Sequence, residues 1–354
     1  MKKTNIFLSR LGLRYPIIQA PMAGVSTAKL AAAVCEAGGL GSLGLGASSV
    51  EQARQLIAET QTLTNKPFNV NLFCHHHPQR NHENEQAWID YLLPQFSEFK
   101  ITPPKKLNEV YQTFIDNIEM LELLLEMKPA VVSFHFNIPS AEVIRQFKQQ
   151  GIYTMATATN LQEARLIESS GIEAIIAQGI EAGGHRGMFD VQAKDESLTT
   201  NTLVSLLHRH TTLPIIAAGG IMDGDDIKLA LQNGAMAAQL GTAFILCPES
   251  AANAHYRAKL KSQTTDNTVL TTAISGRPAR GVINQFIRIG HEYGANKLPD
   301  YPIAYDVGKQ LNAAAMQLGS DEFAAHWAGQ SVARAREMSA KELVEILAQE
   351  MGRI

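Results

Sequence analysis

Cysteine is scarce in this chain. Cys35, Cys74 and Cys247 stand alone among 354 residues, an odd and scattered set that builds no disulfide framework and suits a reducing, cytoplasmic compartment. Long apolar runs are missing too: no segment approaches the roughly 20 apolar residues that a membrane span needs. Arg10 and Arg14 break up the opening stretch, MKKTNIFLSRLGLRYP, before a signal-peptide core can form. Charge of one sign is also lacking. With 18% charged residues and a formal net charge of -3, nothing points to nucleic acid or to a membrane surface. There is no low-complexity tract and no repeat beyond an alternation of short apolar runs with helical stretches. What remains is an ordinary globular composition, 45% hydrophobic, long enough for one large barrel.

The alternation itself is informative. Eight apolar runs bounded by Gly, Pro or Asn recur: PIIQAPM (16–22), GLGSLG (39–44), FNVNLF (68–73), AVVSFHF (130–136), GIYTMATAT (151–159), AIIAQG (174–179), PIIAAGG (214–220) and AAQLGTAFI (237–245). Eight strand-helix units predict an α/β fold, a (β/α)8 TIM barrel. A doubly wound open sheet would more often have five or six strands. Ser26 and Asn160 are candidate N-caps and Gly38 and Gly171 candidate stops for the intervening helices, with the same logic for DDIKLALQNG. Residues 74–129 and 248–320 exceed loop length; the first is mostly helical in pattern, and the second is turn-rich and predicts a cap over the barrel mouth. The domain expectation is therefore a barrel over 1–250, a cap over 251–320, and 321–354 returning as a closing helix, with DEFAAHWAGQ through ELVEILAQEM read as helical.

Side chains alternate along a strand, which sorts inward from outward residues. Val131, Ser133 and His135 share a face, and the bulky Val132, Phe134 and Phe136 share the other. By the same parity Asn69 pairs with Asn71, Gln178 with Ile176, Gln239 with Gly241, and Gln19 with Ile17. Amides or imidazole on five inward faces would each cost about 1–3 kcal/mol if unpaired, so they call for a polar occupant such as a planar heterocycle, or for one another and buried water. PIIAAGG and QLGT end strands seven and eight, where barrels bind phosphate through backbone N–H groups; Gly219, Gly220 and Gly241 permit close approach, and Thr242 offers a hydroxyl. Asp223, Asp225 and Asp226 read as helix caps. The histidine run CHHHPQRNH (74–82) reads as a polar loop, since consecutive histidines cannot all face one ion and no acid has zinc-site spacing. In AQGIEAGGHRGMFD (177–190) the glycines either hold an anion or clear space around His185.

Taken together, QAPMAG (19–24), NVNLF (69–73), FHF (134–136), AQGIEAGGHRG (177–187), PIIAAGGI (214–221), QLGT (239–242) and SGRPARG (275–281) resemble the nitronate monooxygenases, formerly 2-nitropropane dioxygenases. The tyrosines and lysine of 301–309 are similar to the class I branch. The resemblance implies an FMN-containing barrel with a small substrate cap. It places Pro21, Met22 and Ala23 near the flavin ring, has Asn71 and Gln178 hydrogen-bond FMN, and gives the ribityl-phosphate arm to Gly183, Gly220 and the run Gln239, Leu240, Gly241 and Thr242, beside the Gly219 already read as a phosphate-binding position. His185 falls on the active-site histidine, and His135, Tyr301, Tyr305 and Lys309 on residues shaping the substrate pocket. Asn137 stands where the family pattern has Gly; Asn tolerates a left-handed backbone, and its side chain would narrow the pocket.

The implied chemistry is oxidation of an alkyl nitronate such as propionate 3-nitronate, with O2, to a carbonyl compound and nitrite by way of a flavin semiquinone. The cofactor carries that chemistry. Lys309 and the tyrosine hydroxyls suit a nitro or carboxylate group. His185 is either a general base for a neutral nitroalkane or a hydrogen-bond donor to a nitronate. Arg186 orients the loop. The alternatives are an FMN-dependent NAD(P)H reductase, a flavin-binding module without turnover, and a flavin-free phosphate barrel. Partners beyond nitronate, nitroalkane and O2 are not called for; a homodimer is the base-rate assembly.

Overall fold

The computed structural model describes residues 5–264 and 267–352; Met1–Thr4, the charged start of the segment weighed as a leader, lie outside them. Each apolar run yields a strand: β1 (Ile17–Gln19), β2 (Ser42–Gly44), β3 (Asn69–Phe73), β4 (Val131–His135), β5 (Tyr153–Ala158) and β6 (Ala174–Gln178), then, past a two-residue strand β7 (Gly184–His185) outside the barrel, β8 (Ile215–Ala218) and β9 (Ala237–Leu240). The barrel strands are parallel, ordered β1-β9-β8-β6-β5-β4-β3-β2. A bridge between Ile18 and Leu40 closes the ring, with Leu40 N–H donating to Ile17 O and Gln19 N–H to Leu40 O, both at 2.9 Å. This is the (β/α)8 barrel that the alternation predicts.

The helix signals hold with one shift. Asn160 and Asp223 cap their helices and Gly171 ends the first of these in a left-handed conformation, whereas Thr27, not Ser26, caps Ala28–Glu36. Ser26 is taken by the preceding turn, accepting from Met22 N–H and from the Gln19 amide at 2.9 Å. Helix Ala340–Gly352 packs against Ala28–Glu36 and Gly224–Gln232, completing the outer layer. DEFAAHWAGQ is not helical: Phe323 enters an apolar core and Trp327 bridges Gly281, so its apolar residues serve two walls instead of one helical face.

Interior faces divide by depth. At the floor, Val131, Tyr153, Met155, Ile176, Ile216 and Ala237 pack with Phe7 and Leu11 of helix Ile6–Leu11. Val132 and Phe134 face the helices instead, as parity requires. Gln19 departs from the expectation: Ile18 joins the interior and Ile17 the helix layer, so Gln19 points away from the barrel lumen. Its carbonyl oxygen accepts Ser42 N–H at 2.8 Å, tying β1 to β2. Above the mouth, a second core joins Trp88, Phe96 and Leu107, which follow β3, to Phe286, Tyr301, Leu311 and Phe323. Strands β10 (Thr268–Thr271) and β11 (Ala279–Val282) form an antiparallel sheet with β7 in the order β10-β11-β7. The segment after β6 is thereby stitched to the segment after β9.

Candidate active site

Barrel register sets the levels of the site. Asn71 pairs with Ser133 across β3 and β4, while Gln178, Ala218 and Gln239 lie abreast on β6, β8 and β9. Above them opens a cavity of about 980 Å³, lined by Pro21, Met22, Ala23, Asn71, Gln178, Gly183, Gly219, Gly220, Gln239, Gly241 and Thr242, and by His135, His185, Tyr301, Tyr305 and Lys309. Leu240 is the predicted site residue left out; it is fully buried in the helix-facing core, on the parity opposite to Gln239.

Two features of the lining await a ligand. Among the described residues, no acceptor meets the backbone N–H groups of Gly219, Gly220, Gly241 or Thr242 at the ends of β8 and β9. The Gln239 Oε1 is buried and also without a partner. A phosphate needs such backbone donors and a heterocycle edge suits such an amide, so this lining fits a cofactor that carries a phosphate and a polar heterocycle. Elsewhere the chain has used part of its polar capacity. Asn71 Nδ2 donates to Ser133 Oγ at 2.9 Å, while its Oδ1, on a side chain lining the cavity, accepts no hydrogen bond among the described residues. Gln178 Nε2 donates to His185 O at 2.9 Å, and its Oε1 accepts Gly187 N–H at 2.8 Å. Gly183 has a structural reason to be glycine: a Cβ there would run into the backbone of Ala328 and Gly329. Gly184, at φ +75° with open space around it, supplies the left-handed turn that sets His185 on β7.

His185 is held from all sides. On β7 it pairs with Ala279 of β11. Its carbonyl accepts from Gln178 and from His135 Nε2 at 3.1 Å, and its ring Nε2 lies 3.0 Å from Ser275 Oγ. Around the imidazole stand Trp327, Tyr301, Phe136 and Tyr305, with ring centroids 5.3, 5.5, 5.6 and 5.9 Å away. Burial, followed by the charges of His135, Arg277 and His75, holds its pKa well below the ordinary histidine value. The ring is neutral at pH 7. Arg186, fully buried, clamps the loop from beneath: its guanidinium forks onto Asp195 at 2.8 and 2.9 Å and reaches Gln178 O.

His135 is equally neutral, its pKa pushed down to about 3 by burial despite the bond to His185 O. Its other nitrogen meets Thr157 Oγ1 at 3.0 Å. With both nitrogens engaged it positions the loop instead of taking protons. Lys309 stands at the mouth with Nζ 4.4 Å from the centroid of the Tyr111 ring. Asn137 does not line the cavity. It points to His76 at 3.2 Å, and the left-handed residue of this turn is Phe136, at φ +77°. So the expected narrowing of the pocket by Asn137 does not occur.

The histidine run is less uniformly polar than expected. His75 is buried, stacked edge-on against Tyr301 at 4.9 Å, with both ring nitrogens unpartnered. Sequence reasoning missed Tyr111, Ser275, Asn312 and Trp327. Tyr111 and Trp327 lie in irregular backbone where no period marks direction, and Ser275 belonged to a quoted motif without a role. Asn312 follows Tyr305 and Lys309 at helical spacing and was within reach.

An eight-stranded barrel with a capped, polar cavity at the carboxyl ends of its strands, and a half-buried neutral imidazole facing it, defines a barrel enzyme with its site at the usual face. The chain belongs to the nitronate monooxygenase family, whose description, "Nitronate monooxygenase", matches residues 5–350. A nitronate monooxygenase of Paraburkholderia phytofirmans is 53% identical, covering 97% of this chain and 94% of its own length. One from Pseudomonas aeruginosa is 50% identical, over 98% and 99%. The solved nitroalkane oxidase of Streptomyces ansochromogenes superposes with a TM-score of 0.88 at 38% identity, over 98% of this chain and 97% of that one. The chain is therefore an oxidoreductase. No helix among the described residues is long and apolar enough to cross a membrane.

Proposed function

We propose that this enzyme binds FMN and oxidises alkyl nitronates, and nitroalkanes that it first deprotonates, with O2 to a carbonyl compound and nitrite. The observation that carries the reading is the neutral His185, enclosed by aromatic rings at the wall of a cavity whose lining also holds unpaired phosphate-type donors. Gly219, Gly220, Gly241 and Thr242 would hold the phosphate, and Gln239 the ring edge, with Pro21, Met22 and Ala23 beside them. Bound there, FMN supplies the electron transfer and oxygen chemistry.

The chain's own residues do the rest. His185 removes the α-proton of a neutral nitroalkane or, when the substrate arrives ionised, lies beside the nitronate; a neutral imidazole serves the first role best. The rings of Trp327, Tyr301, Tyr305 and Phe136 exclude water, which strengthens each polar contact inside. Lys309 at the mouth meets a distal carboxylate. The three cysteines, free and buried, support a cytoplasmic location, and a homodimer is the base-rate assembly. Anaerobic mixing with propionate 3-nitronate should bleach the flavin, while NADH and NADPH should not. Bleaching by pyridine nucleotide alone would replace this reading with a flavin reductase.

A further inference from the structure

We propose that Ser275 sets the tautomer of His185, keeping the ring proton on Nε2 so that Nδ1 is the nitrogen that accepts a substrate proton. Counting donors at Ser275 leads there. Its hydroxyl has one proton and two lone pairs. Three groups lie within reach: the Arg277 carbonyl at 3.0 Å, the Arg277 N–H at 3.3 Å and His185 Nε2 at 3.0 Å. The Arg277 carbonyl can only accept, so it takes the hydroxyl proton. The Arg277 N–H can only donate, so it takes one lone pair. The second lone pair then requires a donor, and that donor is His185 Nε2–H.

The opposite assignment has a cost. If the hydroxyl pointed its proton at Nε2, the Arg277 carbonyl would lose its single hydrogen-bond donor among the described residues, in a place where Ser275 is fully buried. An acceptor stranded there costs about 1–3 kcal/mol, enough to bias the tautomers by at least fivefold. Nδ1 makes no hydrogen bond among the described residues and is not one of the fully enclosed unpaired atoms, and the residue lines the cavity. Its lone pair is therefore available there.

The proton transfer balances on the residues present. The α C–H bond of a neutral nitroalkane breaks, its electron pair stays on the substrate as the nitronate anion, and the proton goes to Nδ1. The resulting imidazolium keeps Nε2–H on Ser275, so no group has to turn during the step. The two bonds to the His185 carbonyl and the pairing with Ala279 fix the backbone, leaving Ser275 to fix the ring. Such support behind a working imidazole determines which nitrogen reacts.

This inference rests on the nitroalkane reading of the site, and its first test does not depend on it. Nitrogen-15 NMR of the histidine-labelled protein as purified, with His185 assigned by the His185→Asn spectrum, should show Nε2 protonated and Nδ1 bare. In Ser275→Ala the His185 signals should move toward a mixture of tautomers, and Ser275→Thr should restore the single one. A protonated Nδ1 in the unaltered protein, or an unchanged tautomer in Ser275→Ala, overturns the assignment even if nitronates are turned over. As a second readout, Ser275→Ala should slow a neutral nitroalkane by about tenfold more than a pre-formed nitronate. Equal losses on both would remove the link between this tautomer and proton abstraction.

Discussion

The floor and the mouth of this barrel are built from the same strands and obey different rules. At the floor, Val131, Met155, Ile176 and Ile216 meet Phe7 and Leu11 with no polar atom among their side chains. At the mouth, Gln239 Oε1 on β9 is buried without a partner, as are the Tyr301 hydroxyl, Asn312 Oδ1 and both nitrogens of His75 in the segments that cover it; lower down the polar exception is Asn69 Oδ1, abreast of Val131. Each such atom carries a desolvation cost of about 1–3 kcal/mol. The floor is thus where stability is gained and the mouth where part of it is given up for a site that must receive a polar ligand.

Mutations should separate the two ends. His185→Asn at the mouth should lower turnover of a neutral nitroalkane by about 10³-fold, the range expected for loss of a general base, with bound flavin still visible in the absorption spectrum. Steady-state assays on the purified variant decide it; turnover within a factor of two of the parent would remove the base role. Phe7→Ala at the floor should do the reverse. The ring is 1% exposed and edge-on to Tyr153 at 5.9 Å, so its loss should cost about 3–5 kcal/mol of stability in urea unfolding while KM is unchanged. A shifted KM would mean that floor and mouth are mechanically coupled.

The same contrast explains what was legible in the sequence. Floor and outer layer follow from periodicity and caps: all eight strands, the inward face of β4, and the caps at Asn160 and Asp223 could be read because alternation and helix ends are local. In β1 the parity of Ile17 and Gln19 holds but their face turns to the helices, because Gln19 finds its partner in the Ser42 backbone of β2 and not in the lumen. At the mouth, local rules ran out. Leu240 was carried along with its neighbours in QLGT, though strand parity turns it outward. Trp327 looked helical, and Ser275 acts only because β11 brings its segment against β7, ninety residues away in sequence.

A smaller effect tests how the mouth reads charge. Lys309→Met should raise KM for a nitronate bearing a carboxylate by about tenfold, one charge-assisted contact at a solvent-exposed rim, and alter KM for an uncharged alkyl nitronate far less. The Tyr111 ring under Nζ packs with methionine as well, so the fold should survive. Equal KM changes on both substrates would place the ammonium outside the substrate's reach.

The smallest effect tests the cost of keeping imidazoles neutral. Burial pushes the His75 pKa down to about 3, with Arg277, His77 and His76 adding repulsion; His326 is lowered to about 4, chiefly by burial. Both titrate at the ordinary 6.5 when the chain unfolds. Below pH 6.5 the unfolded chain therefore binds protons that the folded one refuses, and stability falls as pH falls toward those folded values. At pH 5.5 one such histidine accounts for about 1 kcal/mol. His75→Phe suits the place, since the ring already packs edge-on against Tyr301 and Phe136 and makes no hydrogen bond. Urea unfolding at pH 7.5 and 5.5 should show the parent losing about 1 kcal/mol more than this variant over the interval. An identical loss in both would mean that His75 takes up its proton in the folded protein as readily as in the unfolded one.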